Sequence, residues 1–343
     1  MSDQVAQWPS GQGNALPRAL VLGATGHIGA HVVRALLAEG CSVRAASHTP
    51  RYLSVLDGLP VERIQVDVEA AEGLRAAMEG CEWVFYAAGY YPRRHARRAQ
   101  AVARGVDAVR GVMRQAQAAR ALRVVFTSSA ATIRQVPGRL ANESDAERWP
   151  LTEWRSLYAT VKIAMEQEAL RWAQAGAPVI VVNPSLCIGE YDAHRFSGRA
   201  VLAFAKYRLP VYLEHHFNAV YTGDVGVGHV RAAQQGRVGE RYLLTGRNLS
   251  VKEFADLVAR IAGVAAPRWR LPRPAALAIA AVSELAAAAT RTEPFLPRHA
   301  VHTSHGGQCL DGTKAVRELG LPQTPIEEAI RRAVAWFRQY GIL

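Results

Sequence analysis

Ala19-Leu20-Val21-Leu22-Gly23-Ala24-Thr25-Gly26-His27-Ile28-Gly29 is the stretch on which the fold turns. Its apolar opening reads as a short buried strand. The amphipathic run from Ile28 to Glu39, closed by Gly40, reads as a helix. Between them stands a GxxGxxG run. Glycines there permit a tight turn and close backbone approach, and the free N–H groups and dipole at the helix start attract a pyrophosphate. With 28 glycines in 343 residues, about 0.2 such patterns arise by chance. The strand-to-helix context therefore carries the reading, and it makes Gly23, Thr25, Gly26, His27, Ile28 and Gly29 candidate dinucleotide contacts.

Working outward, strands are expected at Ser42–Ala46, Val61–Val66, Trp83–Ala88, Leu122–Thr127 and Pro178–Val182. Helices are expected at Glu69–Glu79, His95–Arg120 and Thr152–Ala175. This alternation predicts an α/β fold, a Rossmann-type doubly wound parallel sheet, with a smaller C-terminal substrate-binding region. Residues 1–17 read as a flexible N-terminal tail and 18–183 as an NAD(P)-binding domain. Residues 184–343 read as mainly substrate-binding, with segments near 218–245 returning to the first domain.

The second expected strand runs into Ser47, His48 and Arg51, with no carboxylate to bind the adenosine ribose hydroxyls. These residues, with Arg44, suit a 2′-phosphate, so NADP is favoured over NAD. Asp67 and Val68 end the third strand and are placed to meet the adenine. Ala87-Ala88-Gly89 ends the fourth and lets the backbone approach the cofactor.

Tyr158-Ala159-Thr160-Val161-Lys162 is a YxxxK pattern in a predicted helix, so both side chains share one face a turn apart. A phenol with an ordinary pKa of about 10 is a poor acid–base group at neutral pH, and an adjacent ammonium lowers that pKa. The fifth strand ends Phe126-Thr127-Ser128-Ser129 at the ligand crevice. Ser129 is expected to hold the substrate oxygen, and Thr127 and Ser128 to lie beside the cofactor.

The composition, 50% hydrophobic, supports a large core. The net charge of +12 comes from 37 Arg against 4 Lys. It accompanies no nucleic-acid-binding motif, so no nucleic-acid partner is expected. Arg93, Arg94, His95, Arg97 and Arg98 form a local basic cluster suited to an anionic cofactor or substrate. Cys41, Cys81, Cys187 and Cys309 fit neither a disulfide framework nor a zinc site, and His215-His216 lacks a second ligand cluster, so no metal is expected. No targeting segment is visible, and a cytoplasmic protein is expected. Pro274–Thr290 is apolar and Ala-rich but short for a span; it reads as a packed helix, with a membrane-surface helix as the alternative.

These motifs resemble the extended short-chain dehydrogenase/reductases of the NAD-dependent epimerase/dehydratase superfamily. The matches are GATGHIG, the Asp67-Val68 pair, VFTSSAAT, YATVK and the VVNPSLCIG run at 181–189. NAVYTGDVGVGH (218–229), GERYLLTGRNLSVKEF (239–254) and KAVRELG (314–320) are similar to the dihydroflavonol-4-reductase-like and hopanoid-associated sugar epimerase branch.

The resemblance implies Tyr158 as general acid/base, Lys162 as the ribose-binding, pKa-lowering group and Ser129 as the carbonyl-orienting donor. It places Pro184, Ser185 and Leu186 along the nicotinamide, and implies a homodimer through the two long helices. Gly105-Val106-Asp107-Ala108-Val109 stands where the family often has Asn-Val-x-Gly-Thr. Ala130-Ala131 follows Ser129 where the dehydratases usually carry acidic residues, which argues against a dehydratase.

The function expected is an NAD(P)H-dependent reductase/dehydrogenase interconverting a carbonyl and an alcohol on a hydrophobic small molecule. Tyr90, Tyr91, Trp154, Phe196, Tyr212 and Phe217 are candidate lining residues. The alternatives are a nucleotide-sugar epimerase with tightly bound NAD, in which the Arg cluster and Arg241 would hold a diphosphate, and a non-catalytic cofactor-sensing regulator.

Overall fold

The computed structural model describes residues 16–48, 54–90, 92, 97–147, 156–194, 197–290, 298, 301 and 308–343. Residues 1–15 of the expected tail, and Arg51, Tyr91, Arg93, Arg94, His95, Trp154 and Phe196, lie outside the described residues.

Seven parallel strands form the central sheet. They are β1 (Arg18–Leu22), β2 (Ser42–Ser47), β3 (Glu62–Gln65), β4 (Trp83–Tyr86), β5 (Arg123–Thr127), β6 (Val179–Pro184) and β10 (Arg241–Leu244). Their order is β10-β6-β5-β4-β1-β2-β3. Winding reverses between β1 and β4, so their carboxyl ends open a crevice, the place where doubly wound sheets bind ligands.

Side chains alternate between the two faces of each strand. Val21, Phe85, Val125 and Ile180 pack with α1 (His27–Ala38), α6 (Thr222–Gln235) and α9 (Thr313–Leu319). Leu20, Val84, Tyr86, Phe126 and Val181 pack with α2 (Ala71–Met78), α3 (Arg98–Ala118) and α4 (Leu157–Gln174). Cover on both faces explains why these strands are continuously apolar. The edge strand β3 is largely exposed, and it is shorter than the expected Val61–Val66. At the opposite edge, the backbone N–H of Leu243 in β10 donates to Glu143 Oε1 at 2.9 Å, and burial raises the Glu143 carboxyl pKa.

Gly105 sits where α3 crosses α4. A Cβ there would lie 2.9 Å from Val161 Cγ1, so this position serves close helix packing.

A second core surrounds a three-stranded sheet, β11-β9-β7, of β7 (Leu186–Ile188), β9 (His216–Tyr221) and β11 (Arg247–Ser250). It is covered by α5 (Arg199–Ala205), α7 (Val251–Ala262) and α10 (Ile326–Gln339). Helix α7 starts with a capping box, in which Ser250 Oγ accepts from the Glu253 N–H and the Glu253 carboxylate accepts from the Ser250 N–H. Beyond it, β12 (Trp269–Arg270) pairs with β8 (Val211–Tyr212) and leads into α8 (Arg273–Thr290).

The glycine turn shows why Gly23 and Gly29 are needed. Gly23 has φ +84°, and a Cβ on it would come within 2.7 Å of the Ala88 amide nitrogen. A Cβ on Gly29 would fall on the Gly23 carbonyl oxygen. Replacing Gly29 by Ala forces the first helix away from β1, and overpacking of this kind costs about 1–3 kcal/mol. Gly29→Ala is expected to lower the thermal midpoint and to weaken dinucleotide binding at least tenfold, read by differential scanning fluorimetry and a fluorescence titration with NADPH; unchanged binding would show that the loop adapts.

Candidate active site

The phosphate turn meets the requirements of a dinucleotide site. Gly26 caps α1 without a side-chain hydrogen bond. The N–H groups of the first helical turn have no intrahelical acceptors by construction, and they face the crevice end of β1 with the positive end of the helix dipole. The Ala87-Ala88 backbone passes directly beside Gly23. Thr25 is buried.

The His27 ring turns to another task. Its Nδ1 lies 3.2 Å from Ser197 Oγ and its Nε2 2.9 Å from Thr222 Oγ1. Burial lowers its pKa against the opposing pull of Asp192. Any contact of His27 with a phosphate is thus through its backbone, and its side chain ties the turn to Ser197 and to α6.

Beyond the carboxyl ends of β2 and β3, His48 Nδ1 and Asp67 Oδ2 lie 3.7 Å apart, both well exposed. Asp67 Oδ1 also accepts from the Glu69 N–H. Ser47 is buried at the end of β2. Arg44, read from sequence as a phosphate partner, is corrected by the structure. Its Nε donates to Glu62 at 2.8 Å, and its Nη1 donates to the carbonyls of Ala77 at 2.7 Å and Glu79 at 2.9 Å. It caps the carbonyl end of α2 beneath the sheet rather than facing the crevice.

Tyr158 and Lys162 occupy successive turns of α4, which Ser156 caps by accepting from the Ala159 N–H. Tyr158 is half-buried and Lys162 is buried. Lys162 Nζ donates to the Thr127 carbonyl at 3.2 Å, which places it against the end of β5. Desolvation pulls its pKa down to about 8, opposed by the Glu166 carboxylate one turn further along.

The two serines diverge. Ser128 is buried, and its Oγ donates to Glu166 Oε2 at 2.5 Å. Ser129 stays half-buried, its Oγ accepting from the Ala131 N–H at 3.2 Å. Thr127 Oγ1 faces inward, 2.8 Å from His229 Nε2. His229 Nδ1 lies 2.7 Å from the Val225 carbonyl, so the proton sits on Nδ1 and Nε2 accepts. Burial lowers the His229 pKa to about 4, keeping it neutral. Pro184 ends β6 beside Leu244, and Ser185 Oγ donates to Asn218 Oδ1 at 2.7 Å. Leu186 opens β7 and is half-buried.

Sequence reasoning missed Glu166. Its Oε2 accepts from Ser128, from Thr132 Oγ1 at 2.9 Å and from Asn183 Nδ2 at 2.6 Å, and its Oε1 accepts from Arg241 Nε at 3.0 Å. A period-four reading extended from Tyr158 through Lys162 reaches it. The same contact ties Arg241, the sequence-based candidate for a diphosphate, to this carboxylate through its Nε. Arg98 also turns inward, donating to Thr160 Oγ1. Tyr90 is half-buried, with the Arg104 guanidinium over its ring. Tyr212 and Phe217 pack against the second core, Phe217 edge-on to Phe254. Among the described residues no helix is long and apolar enough to cross a membrane.

Residues 19–244 match the NAD dependent epimerase/dehydratase family. The chain belongs to this family. A Synechocystis sp. protein named "Putative dihydroflavonol 4-reductase" is 33% identical over 94% of both chains. The sterol demethylase protein B of Methylococcus capsulatus is 32% identical over 94% of this chain and 99% of its own. The crystal structure of a nucleoside-diphosphate-sugar epimerase from Pseudomonas aeruginosa superposes with a TM-score of 0.80, at 27% identity over 96% of this chain and 100% of that one. The protein is an NAD(P)-dependent oxidoreductase of the extended short-chain dehydrogenase type.

A buried ammonium opposes folding, and the sign of its pH dependence follows from the depressed pKa. Between pH 8 and 10.5 the unfolded chain holds a proton on Lys162 that the folded chain does not, so stability rises with pH across that window and the penalty is full below it. Lys162→Met is expected to raise the thermal midpoint at pH 7 by a few degrees. The advantage over wild type should shrink as pH passes 8 towards 10. A midpoint that drops at pH 7 would show the ammonium to be net stabilising.

Proposed function

We propose that the chain is an NADPH-dependent reductase/dehydrogenase that interconverts a carbonyl and an alcohol on a hydrophobic small molecule. The observation that carries this reading is the buried Lys162, fixed on the Thr127 carbonyl one helical turn from Tyr158, with Ser129 two residues beyond the same strand end. A bound nicotinamide dinucleotide supplies or accepts the hydride at the substrate carbon. The residues proposed to hold it are the turn from Gly23 to Gly29, then Ser47, His48 and Asp67-Val68 at the adenosine, Ala87-Ala88-Gly89, Thr127 and Ser128 along the middle, and Pro184-Ser185-Leu186 beside the nicotinamide. Arg51 is a sequence-based expectation of the same site.

In this reading Ser129 Oγ donates to the substrate oxygen and fixes its position. Tyr158 gives that oxygen its proton in reduction and removes it in oxidation. Lys162 keeps the phenolate accessible by electrostatics and presents N–H donors to the cofactor ribose. The substrate class is supported by the names of the relatives, which point to a flavonoid-type and a sterol-type molecule. A homodimer would use α3 and α4, whose exposed residues include Arg104, Asp107, Arg114 and Arg171.

The second reading, a nucleotide-sugar epimerase retaining NAD, is favoured by the likeness to the Pseudomonas epimerase. The two readings separate on cofactor behaviour: the reductase exchanges NADPH freely, and the epimerase purifies with NAD bound.

Tyr158→Phe is expected to lower turnover of a ketosteroid or flavanonol panel by about 10²–10⁴-fold, with the NADPH dissociation constant within about twofold of wild type. Wild-type kcat/KM for reduction should fall on the alkaline side with an apparent pKa near 8, as the Lys162 ammonium is lost. Retained turnover in Tyr158→Phe, followed by loss of reduced-nicotinamide absorbance, would remove the tyrosine from the chemistry.

A further inference from the structure

Helix α8 presents its faces the wrong way round for a helix bathed in water. Such a helix normally turns charge outward and apolar side chains inward. Here Ala276, Ala280 and Ala287 face inward, the first two packing with Leu213, Leu271 and Val301. The outward face carries Ile279, Val282 and Leu285, at 43%, 67% and 72% exposure, flanked by Ala278, Ala286 and Ala289. These positions recur at helical spacing and form one stripe. Glu284 stands off that stripe, engaged with Arg298 through its carboxylate.

Beside the N-terminal end of the stripe stand exposed Arg268, Arg270 and Arg273, with Trp269 at 62% exposure between the first two. The segment is anchored to the fold, since Leu271 N–H donates to the Tyr212 carbonyl at 2.8 Å and β12 pairs with β8.

We propose that this face docks on an anionic phospholipid bilayer. Helix α8 lies in the plane of the interface, with Ile279, Val282 and Leu285 at the acyl boundary. Trp269 sits at headgroup depth, where indole rings concentrate, and the three arginines meet lipid phosphates. Charge selects the occupant. The exposed Arg268, Arg270 and Arg273 beside the stripe, on a chain of net charge +12, are complementary to an anionic surface and repel the same arginines on a second copy placed face to face. Docking rather than spanning follows because no helix among the described residues is long and apolar enough to cross. Leu213, the residue after β8, packs on the inward face of the docked helix and joins it to the rest of the fold. The docking claim itself is independent of the catalytic reading and is tested without turnover.

The test is flotation of the full chain with phosphatidylcholine vesicles, with and without phosphatidylglycerol. Binding is expected on phosphatidylglycerol-containing vesicles and is expected to weaken as salt is raised. The double variant Val282→Glu, Leu285→Glu should bind at least about tenfold more weakly. The triple variant Arg268→Gln, Arg270→Gln, Arg273→Gln should lose its preference for the anionic lipid, at roughly fivefold per arginine. All these positions are exposed, and unchanged circular dichroism and thermal midpoints will confirm intact folding. The proposal is overturned if the wild-type chain fails to float with phosphatidylglycerol, or if the double glutamate variant floats as well as wild type. It is also overturned if that variant converts a dimer into a monomer on size exclusion while vesicles bind neither form, which would give the face to a second copy.

Discussion

The carboxylate of Glu166 holds together pieces of chain that are far apart in sequence. Its donors come from the end of β5, from the short turn at Ala130–Thr132, from β6 and from β10. A buried carboxylate is tolerable only when its lone pairs are met by donors of good geometry. The strand ends and helix α4 are therefore held in one mutual arrangement, and Tyr158, Lys162 and Ser129 take their places from it. The Lys162 ammonium shares this environment and loses water to do so. The result is a buried cation held at a fixed place at the end of a sheet, at a cost in desolvation.

Much of this was legible in the sequence, for identifiable reasons. Strands buried on both faces write themselves as unbroken apolar runs, so β1, β5 and β6 could be placed to within a residue or two. The glycine turn was readable because its requirement is backbone geometry, which only glycine satisfies at Gly23. The YxxxK spacing was readable because four residues is a helical turn. What escaped were contacts whose partners lie far apart along the chain. Arg44 sits on a strand near the adenosine end, but which side its guanidinium takes depends on Glu62 and on the end of α2, neither of which is marked locally. Glu166 and Arg241 are 75 residues apart, and nothing in either neighbourhood announces the other. Ser128 and Ser129 both lie beyond β5, and what separates them is the Glu166 carboxylate that Ser128 alone reaches, 38 residues away.

The two ends of the crevice are built differently. The phosphate end is backbone: glycines, helix N–H groups and the Ala87-Ala88 segment, all rigid because their spacing admits no side chain. The carboxyl ends of β2 and β3 are side chain: His48 and Asp67 are exposed and loosely paired.

The Glu143 carboxylate against the β10 backbone has a consequence for assembly. An open sheet border with a spare amide hydrogen invites another chain to extend the ladder, the route by which β-rich proteins polymerise. By taking up the amide of Leu243, Glu143 blunts that border at its middle. The opposite border, β3, is short and interspersed with charged Glu62 and Arg63. Both borders of the sheet are thereby protected against strand-by-strand growth, which is unbounded.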